Sequence, residues 1–179
     1  MKRLTGFALV IIVLSVCSCK ALKRLGQFYI DYNTQAVFPA NIPVNLPLTI
    51  SSPDIATNSS QVFQNNNTNA KLIQSVMLNQ LTLSITSPSG QKFDFLKNVS
   101  IYISSDSLPE VEIADKQDIP VTIGDTLNLD VSSADLQAYI KASQIKIRIA
   151  GTTDKVTTSD ISVNVYAKFF VQANLLAAL

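Results

Sequence analysis

Apolar and polar residues alternate along much of this 179-residue chain, most clearly in Leu81-Thr82-Leu83-Ser84-Ile85-Thr86 and Ile145-Lys146-Ile147-Arg148-Ile149. A period of two buries one face of a β-strand and wets the other. Eight segments qualify as strands: Phe28–Tyr32, Val44–Ile50, Val76–Thr86, Val99–Ile103, Val111–Ala114, Leu127–Val131, Gln144–Ala150 and Ile161–Val171. Prolines 39, 43, 47, 53, 109 and 120 punctuate the connections, and Pro88-Ser89-Gly90 reads as a tight turn. Short strands spaced by turn signals predict an all-β fold, an antiparallel β-sandwich of about eight strands.

Two segments depart from the alternation. Leu136, Tyr139 and Ile140 recur at helical spacing after Ser132 and Ser133, either of which would cap a short helix with Asp135 in its first turn. This one helix is expected to plug an end of the sandwich. The stretch Asn58 to Asn69 carries five Asn among Ser and Gln, with only Val62 and Phe63 clearly apolar. It reads as a long exposed loop and a candidate contact surface.

The amino terminus has a different pattern. Met1-Lys2-Arg3 is followed by an apolar run from Leu4 to Val16, the length of a signal h-region. A spanning helix needs about 20 apolar residues, and Lys20, Lys23 and Arg24 come too soon. The run ends in Val16-Cys17-Ser18-Cys19.

Composition narrows the chemistry. Cys17 and Cys19 are the only cysteines, so a domain beyond them has no thiol for a disulfide, a soft metal site or a nucleophile. Histidine and tryptophan are absent, which removes the commonest metal ligand, the commonest general base and the strongest sugar-stacking side chain together. Ser-His-Asp and Cys-His arrangements are thereby excluded, as are His or Cys zinc sites. From Cys19 onward there are 12 basic against 13 acidic side chains, and no basic patch that would suit nucleic acid.

Carboxylates are the remaining reactive groups. Glu110, Glu112, Asp115, Asp118, Asp125 and Asp130 fall within about twenty residues, which leaves paired-carboxylate hydrolysis or a hard-cation site open. None has calcium-loop spacing, Ser89–Lys92 lies in a turn, and the five glycines form no phosphate cradle. No motif calls for a cofactor. Tyr29, Tyr32, Tyr102, Tyr139 and Tyr166 could serve a ligand pocket or sugar platform, although aromatic residues at strand spacing more often fill a core.

Val16-Cys17-Ser18-Cys19 resembles the lipobox of bacterial lipoproteins, with Val16 at −3 and Ser18 at −1. The resemblance implies cleavage before Cys19 and acylation of that cysteine, giving a signal peptide at 1–18, a lipidated tether at 19–26 and a β-sandwich at 27–179. Lys20, in place of the Asp that marks inner-membrane retention in that family, implies the outer membrane of the cell envelope. The layout is similar to small lipoproteins of Bacteroidota-type bacteria, in Phe93-Asp94-Phe95-Leu96, Ile101-Tyr102-Ile103-Ser104 and Val121 to Val131.

Three functions follow in order. The first is a non-enzymatic, membrane-anchored lipoprotein presenting its sandwich to a protein or an oligosaccharide. The second is a structural or adhesive subunit pairing by strand addition through the run Ile161 to Val171. The third is a carboxylate or metal-assisted enzyme. The apolar end Leu175–Leu179 is expected to pack back on the domain.

Overall fold

In a computed structural model the structure describes residues 26–174. The expected signal segment, Cys19, all but the last residue of the expected tether, and Leu175–Leu179 lie outside the described residues. Among the described residues, ten strands form two stacked sheets. The four-stranded sheet has the order β1 (Gln27–Phe38), β10 (Ile161–Ala173), β4 (Ile73–Ser87), β7 (Thr126–Asn128). The six-stranded sheet runs β2 (Pro47–Ser51), β9 (Gln144–Thr153), β5 (Leu96–Ser105), β6 (Leu108–Lys116), β8 (Asp130–Val131), with β3 (Ile55–Ala56) also on β9. Every strand pair is antiparallel, so the expected all-β sandwich is the observed fold.

Alternation builds the core. On β10, Ile161, Val163, Val165, Ala167, Phe169, Val171 and Ala173 are buried while each residue between them is half-exposed. They meet Ile101, Ile103, Ile113, Ile145, Ile147 and Ile149 within one apolar core. Edge-to-face rings tie it: Phe38 to Phe95 at 5.5 Å and Tyr32 to Phe169 at 5.8 Å between centroids.

All eight strand segments exist, most of them longer than their apolar pattern. The segment Leu127–Val131 is two strands rather than one: Leu129 donates to the Leu81 carbonyl, and the chain passes from the four-stranded sheet at β7 to the six-stranded sheet at β8. The two-residue β3 is too short to leave a pattern.

The expectation of a single helix is corrected. Asn58 to Asn69 is not a free loop, because Ser59–Asn65 forms a helix, α1. Its Phe63 is buried and meets Phe28 at 6.4 Å between ring centroids. Seven residues with two apolar side chains are too few to show a helical period. The anticipated helix, α2, covers only Gln137–Lys141, with Leu136 and Ile140 buried. Neither Ser132 nor Ser133 caps it; Asp135 precedes the helix and accepts from the backbone N–H of both Gln137 and Val76, each at 3.0 Å. One carboxylate thus ties the start of α2 to β4. α1, α2, the β5–β6 turn, and the described ends at Gly26 and Asn174 share one pole of the sandwich. No described helix is long and apolar enough to cross a membrane.

Tyr32 gives this packing a pH signature. Burial pushes its phenol up to about 12, and the hydroxyl donates to the Thr57 carbonyl at 2.8 Å. A folded-state pKa above the unfolded value of about 10 means that this stabilisation is whole below pH ~10 and is lost as pH rises through ~12. Tyr32→Phe is expected to cost about 0.5–1.5 kcal/mol at neutral pH and to flatten the alkaline fall. Urea midpoints at several pH values would show it, and parallel wild-type and variant curves up to pH ~12 would count against it.

Candidate binding face

The two outward faces of the sandwich differ in chemistry. On the six-stranded sheet, charges are spent on one another. Arg148 grips Glu110 through two bonds of 2.7 and 2.5 Å and lies 4.1 Å over the Tyr102 ring. Those hydrogen bonds hold the Glu110 carboxyl below its usual range, and the Glu112 hydrogen bond raises Tyr102. Lys146 pairs with Asp54 at 3.1 Å and Lys116 with Asp130 at 3.0 Å. These pairs are half-exposed, and each contributes about 0–1 kcal/mol.

The acidic span of the sequence is absorbed by the same arrangement. Glu110 and Asp130 have cationic partners, Asp115 accepts from Gln117, and Asp118 holds a left-handed turn at φ 49°. Among the described residues no three Asp or Glu side chains gather as metal ligands would.

The four-stranded sheet presents something else. Register places Tyr29 beside Phe170 and Phe170 beside Met77, one row across β1, β10 and β4. Tyr29 is 51% exposed and Met77 39%, so this is an apolar row facing water. The Tyr29 and Phe170 rings lie 5.4 Å apart and are tilted by 54°, and Lys168 Nζ sits 4.7 Å over the Tyr29 ring.

The next rows are mostly neutral and polar. Asp31, Lys168 and Gln80 form one, and Asn33, Tyr166, Thr82 and Asn128 form another. Gln80 donates to Thr82 at 3.0 Å, Thr82 to Asn128 at 2.8 Å, and Asn164 to Asn33 at 3.3 Å. An aromatic pair bordering a field of amides and hydroxyls can stack on an apolar ring face while exchanging hydrogen bonds with neutral polar groups.

The five tyrosines divide accordingly. Tyr29 and Tyr166 lie on this face and Tyr102 on the opposite one. Tyr32 and Tyr139 turn inward, Tyr139 donating to the Pro109 carbonyl at 2.7 Å. Phe170, Lys168, Met77, Gln80, Thr82 and Asn128 join the face without having been singled out in the sequence. Their shared feature, a place on the polar side of a strand, becomes a site only once the pairing is known. Asn58–Asn69 contributes two open, shallow depressions of about 400 Å³ beside α1, lined by side chains such as Ser60, Gln61 and Gln64.

No protein-family model and no curated protein matches the chain. Among solved structures it is similar to a Clostridium perfringens module in complex with GalNAc-beta-1,3-galactose, at 11% identity and a TM-score of 0.35, covering 80% of this chain and 97% of that one. It is also similar to infectious bursal disease virus, at 12% identity and 0.37 over 83% of this chain and 32% of that one. A third is a decameric BFDV capsid protein, at 10% identity and 0.35 over 83% and 99%. Likeness this distant carries no residue role or activity across.

Proposed function

We propose that this protein is a non-enzymatic envelope lipoprotein, anchored through Cys19, whose four-stranded face recognises a neutral oligosaccharide. The observation that carries the reading is the exposed Tyr29–Phe170–Met77 row bordered by Asn33, Gln80 and Asn128. A sugar ring offers an apolar C–H face to stack and hydroxyls to bond, and this surface answers both with almost no net charge. A nucleic acid would need a basic field, which the single Lys168 beside Asp31 does not supply.

The anchor rests on the lipobox. Two or more acyl chains hold a protein at a bilayer where one binds only marginally. An extended tether of eight residues reaches about 28 Å, enough to keep the domain near the membrane without burying its faces.

The two halves are tested separately. Cys19→Ala is expected to move the protein from the membrane to the soluble fraction in cell fractionation; an unchanged membrane fraction would sink the anchor. For recognition, the chain is titrated calorimetrically with neutral oligosaccharides built from hexoses and N-acetylhexosamines. Tyr29→Ala is expected to weaken the best binder about tenfold, the loss of about 1.4 kcal/mol of stacking. A panel giving no heat, or an affinity indifferent to Tyr29, would overturn the saccharide reading in favour of a protein partner.

A further inference from the structure

Strand addition was expected through the run Ile161 to Val171, but that run is β10, paired on both sides by β1 and β4 and closed to any partner. The open edges lie elsewhere and are unequal. β7 and β8 have three and two residues, and the β2–β3 edge begins with Pro47 and is broken at Pro53. Short strands and prolines are the ordinary guards of a sheet edge.

β1 has none of these guards. It pairs with β10 over twelve consecutive residues without a register shift, so no bulge twists it away. It contains no Pro, no Gly and one charge, Asp31, which points outward. Among the described residues no backbone group pairs with its other side. Twelve residues of unpaired, bulge-free, nearly uncharged edge form a template for another strand.

We infer that β1 pairs antiparallel with β1 of a second copy of this chain, about a twofold axis through Asn33. The register follows from parity. Inward side chains alternate with outward ones, and the backbone groups aimed at the open edge alternate with the same period. Only pairings that set even residues opposite even residues match both. The one centred on Asn33 pairs residues 28–38 and sets Tyr29 opposite the partner's Val37.

These are the two exposed large apolar residues of β1, at 51% and 47%. Asp31 falls opposite the partner's Gln35 and no like charges meet. Two four-stranded sheets become one of eight strands, with about ten new main-chain bonds and the Tyr29 rows on a common face. Antiparallel pairing also puts the two amino termini about 40 Å apart. If both chains are anchored in one bilayer, the paired strands run along it.

The pairing stands without the saccharide reading and is tested without a ligand. The full chain carrying Cys17→Ser and Cys19→Ser has no thiol, so one introduced cysteine reports one contact. Asn33→Cys lies on the axis, within the 4.4–6.8 Å Cα spacing that a disulfide needs, whereas two copies of Gln35→Cys lie about 14 Å apart. Under mild oxidation Asn33→Cys is expected to give at least about tenfold more disulfide-linked dimer than Gln35→Cys.

A double variant with Asp31→Cys and Gln35→Cys is expected to cross-link as well as Asn33→Cys, which covers misfolding of the single variant. Gln35→Asp, which sets one carboxylate opposite each Asp31 across the axis, is expected to suppress the Asn33→Cys product. Equal cross-linking at 33 and 35, or none in any variant together with monomeric sedimentation, overturns the pairing.

Discussion

Phe169→Ala is expected to lower stability by about 3–5 kcal/mol, the loss of a fully buried ring from the middle of this sandwich. Phe169 is fully buried on β10 between Ile30 of β1 and Leu78 of β4. It meets Tyr32 edge-to-face and lines one small gap together with Ile145 and Ile147 of the opposite sheet. An apolar gap of about 10 Å³ already lies beside it, so removing the ring enlarges a void rather than letting neighbours close in. Backbone pairing on both sides of β10 limits collapse further. Phe170→Ala, one residue on, is expected to cost about 0.5–1.5 kcal/mol, because that ring faces water and loses mainly its contact with Tyr29. Urea unfolding of the two variants reads the strand's register directly. Similar losses at 169 and 170 would contradict this assignment of inner and outer faces.

That contrast also shows what was legible in the sequence. β10 could be read because a sandwich wall buries every second residue, and Ile161 to Val171 keep that beat without interruption. β1 was read only as far as Tyr32, since Asn33, Thr34 and Gln35 are polar on both faces and belong to the strand through pairing with Tyr166, Val165 and Asn164. Leu127–Val131 looked continuous because each half of it is extended; the change of sheets at Leu129 is tertiary and leaves no local mark. α1 leaves no local signal because its buried ring, Phe63, packs against Phe28, 35 residues earlier.

The candidate face was less legible than the fold for a related reason. Sequence alternation says which residues of β1, β4 and β10 point outward, but not that residue 29 stands beside residue 170 and residue 170 beside residue 77. The Asn79 bulge between Gln80 and Leu78 resets that row, and Asn79 carries no turn chemistry that would announce it. The acidic span misled in the opposite direction. Density along the chain suggested a catalytic pair, whereas the strands hand Glu110 to Arg148 and Asp130 to Lys116. The proposed lipobox is different in kind, since its meaning would lie in consecutive residues read as a string rather than in a fold.

Gly151→Ala is the second large effect, and its cause is steric. Gly151 lies in β9, paired with Leu48 of β2 on one side and Val99 of β5 on the other. A Cβ there would fall well inside contact distance of the Asn98 carbonyl oxygen, with Asn98 C and Val99 Cα each at 3.3 Å. All three atoms are backbone, so no side chain can swing away, and the β5–β9 ladder beside its bulge near Asn98 must part. An overpacking cost of about 1–3 kcal/mol is expected, at the upper end because both ladders are held.

Two other glycines separate this cause from conformational strain. Gly90 has open space around it but φ of +80°, so Gly90→Ala is expected to cost about 1 kcal/mol through the left-handed backbone alone. Gly124 has open space and no such φ, and Gly124→Ala is expected to be neutral or stabilising by a few tenths of a kcal/mol. Thermal unfolding should therefore rank the variants 151, 90, 124 from most to least destabilised. A Gly151→Ala protein as stable as Gly124→Ala would mean that β5 and β9 are not held as closely as the ladder requires.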